Sequence, residues 1–304
     1  MASINPYKNG VSEEERITGN ETFERKKEEC TKNNHDSYID VNDLSLSCLP
    51  ANYQDGQILY FITLQADLTG RIEFPCTNED NKEMKIRGTG FVQKIRPGKL
   101  SKCPCPECKG EFNDYFILTV TTVNHVVGEN GNFRDATMLL ETTTSSFTIY
   151  GNKISKTDRD EDSNEDWCAV EFISHEIDKV KELERTLENL KRTQGNLYEK
   201  FSGDENLVVI TGYPHGLKKQ VSIGKLVKKK EILKEVRVGQ EWCRYKYDAT
   251  TCPGSSGSPV FILGQPICGY GYWFGHSHNH SKGATIKNEK NCQINTSSVG
   301  VNKK

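Results

Sequence analysis

The stretch TCPGSSGSPVF, residues 251–261, sets a serine between glycines and follows it with proline and an apolar run. Glycine admits close backbone approaches that a Cβ forbids, so such a turn can expose a hydroxyl and aim backbone N–H groups at a carbonyl beside it. Ser256 is the candidate nucleophile, and the N–H groups of Gly254 and Ser256 are the candidate oxyanion donors. A hydroxyl is a poor nucleophile at neutral pH; it needs a general base, and an imidazole base needs a carboxylate to fix its tautomer. Upstream, FILTVTTVNHVV (116–127) ends a β-rich run with His125, and EDWCAVEF (165–172) puts Asp166 at the mouth of another apolar run. A structural histidine and an acidic loop shared with Asp158, Asp160 and Asp162 are the plainer accounts of these two residues taken singly.

Working outward, short β-rich runs punctuated by Gly, Pro, Asn and Asp recur: ILYFITLQ (58–65), IRGTGFVQKI (86–95), YFILTVTT (115–122), ATMLLETTT (136–144), WCAVEFI (167–173), NLVVITGY (206–213), KQVSIGKLV (219–227), EWCRYKY (241–247), PVFIL (259–263) and PICGYGYW (266–273). That pattern predicts a sandwich or barrel. Residues 174–201 depart from it, with Ile177, Val180, Leu183, Leu187 and Leu190 at three- and four-residue spacing, which predicts one amphipathic helix. Packing of its stripe on the body is the simple expectation; a partner-binding helix is the alternative. Residues 12–29 are charge-dense and read as a solvated helix or leader without chemistry, and the polar tail after Gly275 reads as irregular. No repeat of fixed period is visible, although two similar barrels can share little sequence.

The 304 residues carry 40 Lys+Arg and 42 Asp+Glu, a net charge of −2, which gives no whole-molecule attraction to nucleic acid or anionic membrane. No apolar run reaches the roughly 18 residues that span a bilayer. The polar start MASINPYKNGVSEEERITGN lacks a signal-peptide core, so the eleven cysteines are expected as free thiols and metal ligands in an intracellular, reducing compartment, cytoplasmic or nuclear. KCPCPECKG places Cys103, Cys105 and Cys108 close enough to chelate one structural Zn2+, with Cys76, Cys168 or a histidine as the fourth ligand; free loop thiols are the competing account. GHSHNH (275–280) can bind metal through His276, His278 and His280, but in a polar tail a solvated segment is the simpler reading. The basic run KLVKKKEILK (225–234) likewise reads as a solvated face.

Taken in the order His125, Asp166, Ser256, these segments resemble a trypsin-like serine peptidase of the chymotrypsin fold. TVNHVV is similar to the family's T-A-A-H segment, DWCAVEF to D-x-A-L-x-x-L, and PGSSGSPVF to G-x-S-G-G-P with Ser258 in place of the second glycine. GTGFV (88–92) resembles G-S-G-F, and GYPHGLKKQVSIGKLV (212–227) resembles a segment of HtrA-type and related intracellular peptidases. The resemblance spans roughly 55–275 and implies an all-β double barrel with the helix inserted between its halves and a charged N-terminal extension. The expected organisation is an extension over 1–52, a peptidase domain over 53–285 and a polar tail over 286–304. Within the domain, the first barrel takes about 53–173, the helix 174–201 and the second barrel about 205–275.

For function the resemblance implies peptide-bond hydrolysis by a Ser256–His125–Asp166 triad, with no metal or cofactor for the chemistry and a protein or peptide as substrate. A silent scaffold that binds partners through the helix, the leader or the zinc loop is the alternative. Ser255 stands where zymogen-type members carry an aspartate, which implies no N-terminal maturation switch of that kind. Thr250 holds the family's primary specificity position, so a basic P1 residue is not expected; with Tyr272 and Trp273 nearby, an apolar or aromatic P1 is.

Overall fold

The structure is a computed structural model that describes residues 11–303 except 20, 33–34, 79, 99–101, 106–107, 109–113, 128–132, 158–165, 202, 204–206, 238–239, 265–275 and 283–293. Two short strands come first, β1 (Val11–Ser12) and β2 (Glu15–Thr18), then helix α1 (Phe23–Glu28) and strand β3 (Ile39–Asp40). Helix α2 (Gly56–Asp67) follows, where a strand was expected over 58–65. The Asp55 side chain caps its first turn by accepting from the Gln57 N–H, and Ile58, Phe61, Ile62 and Gln65 fall on one buried helical face, a spacing that a strand would split between two faces.

Six strands then close the first barrel: β4 (Thr69–Thr77), β5 (Glu83–Pro97), β6 (Phe116–Val123), β7 (Thr137–Glu141), β8 (Ser146–Thr157) and β9 (Trp167–Ser174). They are ordered β5-β4-β7-β8-β9-β6, with β6 returning to pair β5. Between β6 and β7 lies the single-turn helix α3 (Asn124–Val127). Helix α4 (Ile177–Phe201) leads to the second barrel: β10 (Leu207–Gly212), β11 (Gln220–Arg237), β12 (Gln240–Tyr247), β13 (Pro259–Ile262), β14 (His276–Lys282) and β15 (Ile294–Lys303). Its order is β11-β10-β13-β14-β15-β12, with β12 returning to β11. Each barrel thus runs second-first-fourth-fifth-sixth-third, one topology used twice. Closure removes the open edges that would otherwise invite pairing with other chains.

The strands are buried because the barrels are filled with side chains: all of β9 and β10 are buried, and Phe74, Leu118, Val170, Phe172 and Val209 belong to one continuous core. In α4, Val180, Leu183, Leu187, Leu190 and Leu197 enter that same core, beside Ile58, Phe61 and Ile62 of α2. The apolar stripe of the helix is therefore covered by the protein's own body. Residues beyond Gly275, expected to be irregular, instead supply β14 and β15; the expected strand at 266–273 lies outside the described residues. No helix among the described residues is long and apolar enough to cross a membrane.

Candidate active site

The first two groups of the site are brought together by strand register. Strand β6 pairs β9 with Val123 opposite Trp167, so the residues just after the one and just before the other meet. Asn124 N–H donates to the Asp166 carbonyl at 2.9 Å, His125 N–H donates to Asp166 Oδ1 at 3.1 Å, and the second carboxylate oxygen binds His125 Nδ1 in a short hydrogen bond. Asp166 is buried and so held in one orientation. The other ring nitrogen, Nε2, lies 2.6 Å from Ser256 Oγ. All three groups expected from sequence thus stand in one line, carboxylate to imidazole to hydroxyl.

Ser256 sits in the turn between β12 and β13. Gly254 and Gly257 have φ of +94° and +88°, conformations that L side chains rarely adopt. A Cβ on Gly254 would lie 2.4 Å from the Tyr213 carbonyl, and one on Gly257 1.9 Å from that of Thr89. The turn is closed by Ser255 N–H donating to the Cys252 carbonyl at 2.9 Å and tied to the first barrel by Thr89 N–H donating to the Ser256 carbonyl at 2.7 Å. Ser255 Oγ accepts from Cys252 N–H at 3.2 Å, which makes it part of the turn.

An oxygen occupies the place where the two candidate oxyanion donors converge. Gly254 N–H and Ser256 N–H donate to the Glu13 carbonyl at 2.5 and 3.3 Å, while Glu13 N–H donates to Ser256 Oγ at 3.1 Å. On one side of Glu13, β1 pairs antiparallel with β14 of the second barrel; on the other, β2 pairs antiparallel with β5 of the first. The segment expected to be a solvated leader therefore lies in the cleft.

Glu13 is 1% exposed. Its carboxylate meets the Lys32 ammonium in a close ion pair and His278 Nε2 at 2.6 Å, and His278 Nδ1 lies 2.6 Å from the Tyr247 hydroxyl. Since a tyrosine hydroxyl can donate to Nδ1, Nε2 carries the proton and donates to Glu13. Burial, reinforced by Lys32 and His125, pushes the His278 pKa well below the ordinary imidazole value, so this ring is neutral. Lys32 is itself drawn down to about 8 by burial. Thr250 is buried and accepts from Ser37 Oγ at 2.8 Å. The Glu13 side chain in the cleft is held by a cation and an imidazole; Tyr272 and Trp273 lie outside the described residues. Sequence reasoning missed Glu13, Lys32 and His278, and the histidine tract was the one visible signal. His278 is fully buried within β14 rather than solvated.

His125 is also electrostatically tuned. Burial disfavours its charged form, but the Asp166 carboxylate, aided by that of Glu14, outweighs burial and raises the pKa above the ordinary value. The Glu14 carboxylate lies 3.4 Å from Nε2.

Away from the cleft, the Sγ atoms of Cys103, Cys105 and Cys108 and a ring nitrogen of His175 all lie within 4.8 Å of one another. His175 Nε2 is 3.5 Å from Cys103 Sγ and 3.0 Å from Cys105 Sγ, and Cys105 and Cys108 Sγ are 3.3 Å apart. A tetrahedral zinc with ligand bonds of about 2.0–2.3 Å has ligand–ligand edges of roughly 3.3–3.8 Å, so this donor set has the chemistry and nearly the spacing for the ion. His175 directly follows β9, whose Ser174 pairs Phe116 at the end of the cysteine loop. Cys76 and Cys168 are not among the gathered donors. Cys76 pairs Met84 in the β4–β5 ladder, and Cys168 is wholly buried in the main core.

Residues 88–265 match the family model for a trypsin-like peptidase domain. Among solved structures, the active form of the Rv3671c protease from M. tuberculosis is 15% identical with a TM-score of 0.42, covering 79% of each chain. Deg5 is 12% identical with a TM-score of 0.41, covering 83% of this chain and 91% of its own. No curated protein matches the sequence.

Proposed function

The chain belongs to the trypsin-like peptidase family and is a serine endopeptidase, and from that premise we propose that Ser256 is its nucleophile, His125 its general base and acid, and Asp166 the carboxylate that orients His125. The observation that carries the assignment is the continuous hydrogen-bonded line from Asp166 through His125 to Ser256 Oγ. His125 Nε2 accepts the Ser256 proton as Oγ adds to a peptide carbonyl, and the N–H groups of Gly254 and Ser256 stabilise the oxyanion. His125 then protonates the leaving amine. Water, deprotonated by the same imidazole, hydrolyses the acyl-enzyme. Asp166 stays ionised, keeps the proton on Nδ1 and stabilises the imidazolium.

The Cys103, Cys105, Cys108 and His175 set would hold a structural Zn2+, a thiolate-rich site of the closed kind. It would pin the loop between β5 and β6 to the end of β9 without touching the reacting atoms. Cysteines kept as metal ligands fit a reducing, intracellular compartment.

A serine-directed fluorophosphonate tests the nucleophile. The wild-type chain is expected to take up one equivalent, Ser255→Ala to keep it and Ser256→Ala to lose it. A folded wild-type chain that stays unlabelled after prolonged incubation, or label retained on Ser256→Ala, overturns the assignment.

A further inference from the structure

Beyond the activity itself, the N-terminal segment is bound as a peptide substrate would be. We propose that Glu13–Glu14 is a bond this chain cleaves in itself, and that Lys32 and His278 make the enzyme selective for glutamate on the acyl side of the cleaved bond; the inference rests on the serine-peptidase reading above. Three independent contacts coincide. Strand β1 is paired to the second barrel and β2 to the first, so the chain is stretched across the cleft with Glu13 and Glu14 at the crossing. The Glu13 carbonyl accepts from both oxyanion donors, and the N–H of the same residue donates to Ser256 Oγ at 3.1 Å. The Glu13 carboxylate is buried in a pocket whose polar groups, Lys32, His278 and Tyr247, form a matched set.

A buried carboxylate is tolerated only where charge and hydrogen bonds compensate its lost hydration. Glutamine would keep a hydrogen bond from His278 but leave the Lys32 cation unneutralised. Leucine would take the carboxylate away from both groups and leave the Lys32 cation unneutralised, and lysine would add a second cation. Glutamate is thus the side chain the pocket accepts best.

The reaction balances without a co-reactant other than water. Ser256 Oγ bonds to the Glu13 carbonyl carbon, and its proton passes to His125. The bond to the Glu14 nitrogen breaks, and that nitrogen takes the proton as an amine. Water then adds to the acyl carbon and gives a proton through His125 to Ser256 Oγ, which leaves. The products are a chain ending in the Glu13 carboxylate and a chain beginning at Glu14. Lys32 lies on the retained side of the cut, so the pocket survives and is open to other acidic substrates once the Glu13 end departs.

Intact mass and N-terminal sequencing of the full chain test the cleavage. Wild type is expected to yield a new N-terminus at Glu14 with a first-order rate independent of protein concentration, and Ser256→Ala to stay whole. Glu13→Leu should slow the cut about a hundredfold or more, the scale for leaving a buried charge unpaired, yet still be labelled by the fluorophosphonate. Peptides with Glu, Gln, Leu or Lys at the acyl position then read selectivity: Glu should be preferred, and Lys32→Met should collapse the Glu-to-Gln ratio by about tenfold or more. A labelled wild-type chain that remains uncut, is cut elsewhere, or prefers an apolar residue refutes this proposal while leaving the serine nucleophile standing. An unlabelled chain refutes both.

A different observation carries a second proposal, that Cys30, His35, His215 and Cys252 form another zinc site. Their ligand atoms all lie within 4.8 Å of one another, and the Nε2 atoms of His35 and His215 are 3.2 Å apart, close to the roughly 3.3 Å edge between two nitrogens on tetrahedral zinc. The other ring nitrogen of His215 meets the Glu15 carboxylate at 3.2 Å, the outer contact that metal-bound imidazoles habitually make. His215 also adopts a left-handed backbone at φ +58°, a conformation kept where surroundings enforce it. The site would clamp the segment bearing Lys32 onto the turn bearing Ser256. Elemental analysis should find two zinc per chain, falling to one in Cys30→Ser and, separately, in His35→Gln. Cobalt substitution should give thiolate charge-transfer bands that weaken in both variants. One zinc per chain unaffected by these changes, or a mass two daltons lower from a Cys30–Cys252 disulfide, refutes the clamp.

Discussion

Replacing Asp166 with asparagine keeps the shape of the side chain and changes one hydrogen bond in a way the geometry fixes. One carboxylate oxygen accepts from His125 N–H and the other from His125 Nδ1–H. The asparagine oxygen must stay on the backbone N–H, because the reverse orientation would set an NH2 group against that donor. The NH2 group therefore faces Nδ1 and donates to it, which moves the ring proton to Nε2. Nε2 is then a donor and cannot accept the proton of Ser256, 2.6 Å away. A triad with its histidine in the wrong tautomer loses about 10⁴ in rate, or about 5.5 kcal/mol of barrier. Single-turnover fluorophosphonate labelling and cleavage at Glu13–Glu14 should both fall by that factor near neutral pH, with the thermal melting of the chain little changed. Asp166→Asn that keeps more than a tenth of wild-type rate at unaltered folding would refute the role given to this carboxylate.

Three other outcomes follow from the geometry of the chain. His125 must be neutral to act, and its pKa is raised, so labelling should fall as pH drops through a midpoint above the ordinary value of roughly 6.5; Glu14→Gln removes a carboxylate from its neighbourhood and should move that midpoint down, and an unmoved or rising midpoint counts against the assignment. Stripping metal with a chelator should lower the melting temperature by roughly 5 °C or more, and His175→Ala should bring zinc content down by one, read by calorimetry and elemental analysis. Gly257→Ala drives a Cβ to 1.9 Å from the Thr89 carbonyl at a positive φ, so it should destabilise the chain by at least about 2 kcal/mol in denaturant unfolding and abolish labelling.

The elements that could be read from sequence are those whose meaning is local. Gly254 and Gly257 announce a turn because only glycine fits their backbone, and β9 and β10 announce barrel strands by mostly apolar, β-branched and aromatic runs. The stripe of α4 has a period that no strand shares. The helix at 56–67 reads as a strand in sequence because Leu59 and Tyr60, apolar but off the buried face, fill the gaps between Ile58, Phe61 and Ile62 and mask the helical period, while the Asp55 cap sits outside the run. The fourth ligand of the cysteine cluster was hidden for another reason: His175 lies 70 residues from Cys105 and reaches it only through the pairing of β9 with β6.

The acidic segment was the hardest to read because charge density ordinarily means solvation. Glu13 is buried only through Lys32 and His278, residues that are meaningless for it until the fold sets them at either side. This arrangement has a consequence for how the cleft can open. Lys32 also donates to the Thr251 carbonyl at 3.3 Å, so the same stretch that fills the cleft supplies the cation of its pocket. Pulling the whole stretch away would empty the cleft and remove that cation together, leaving an enzyme without its acid-selective side chain. Cutting after Glu13 separates the two, because the occupant leaves while Lys32, pairing of β2 with β5 and pairing of β3 with β11 remain on the retained chain. Of the two ways to vacate the site, cleavage alone preserves the selectivity that first bound the occupant.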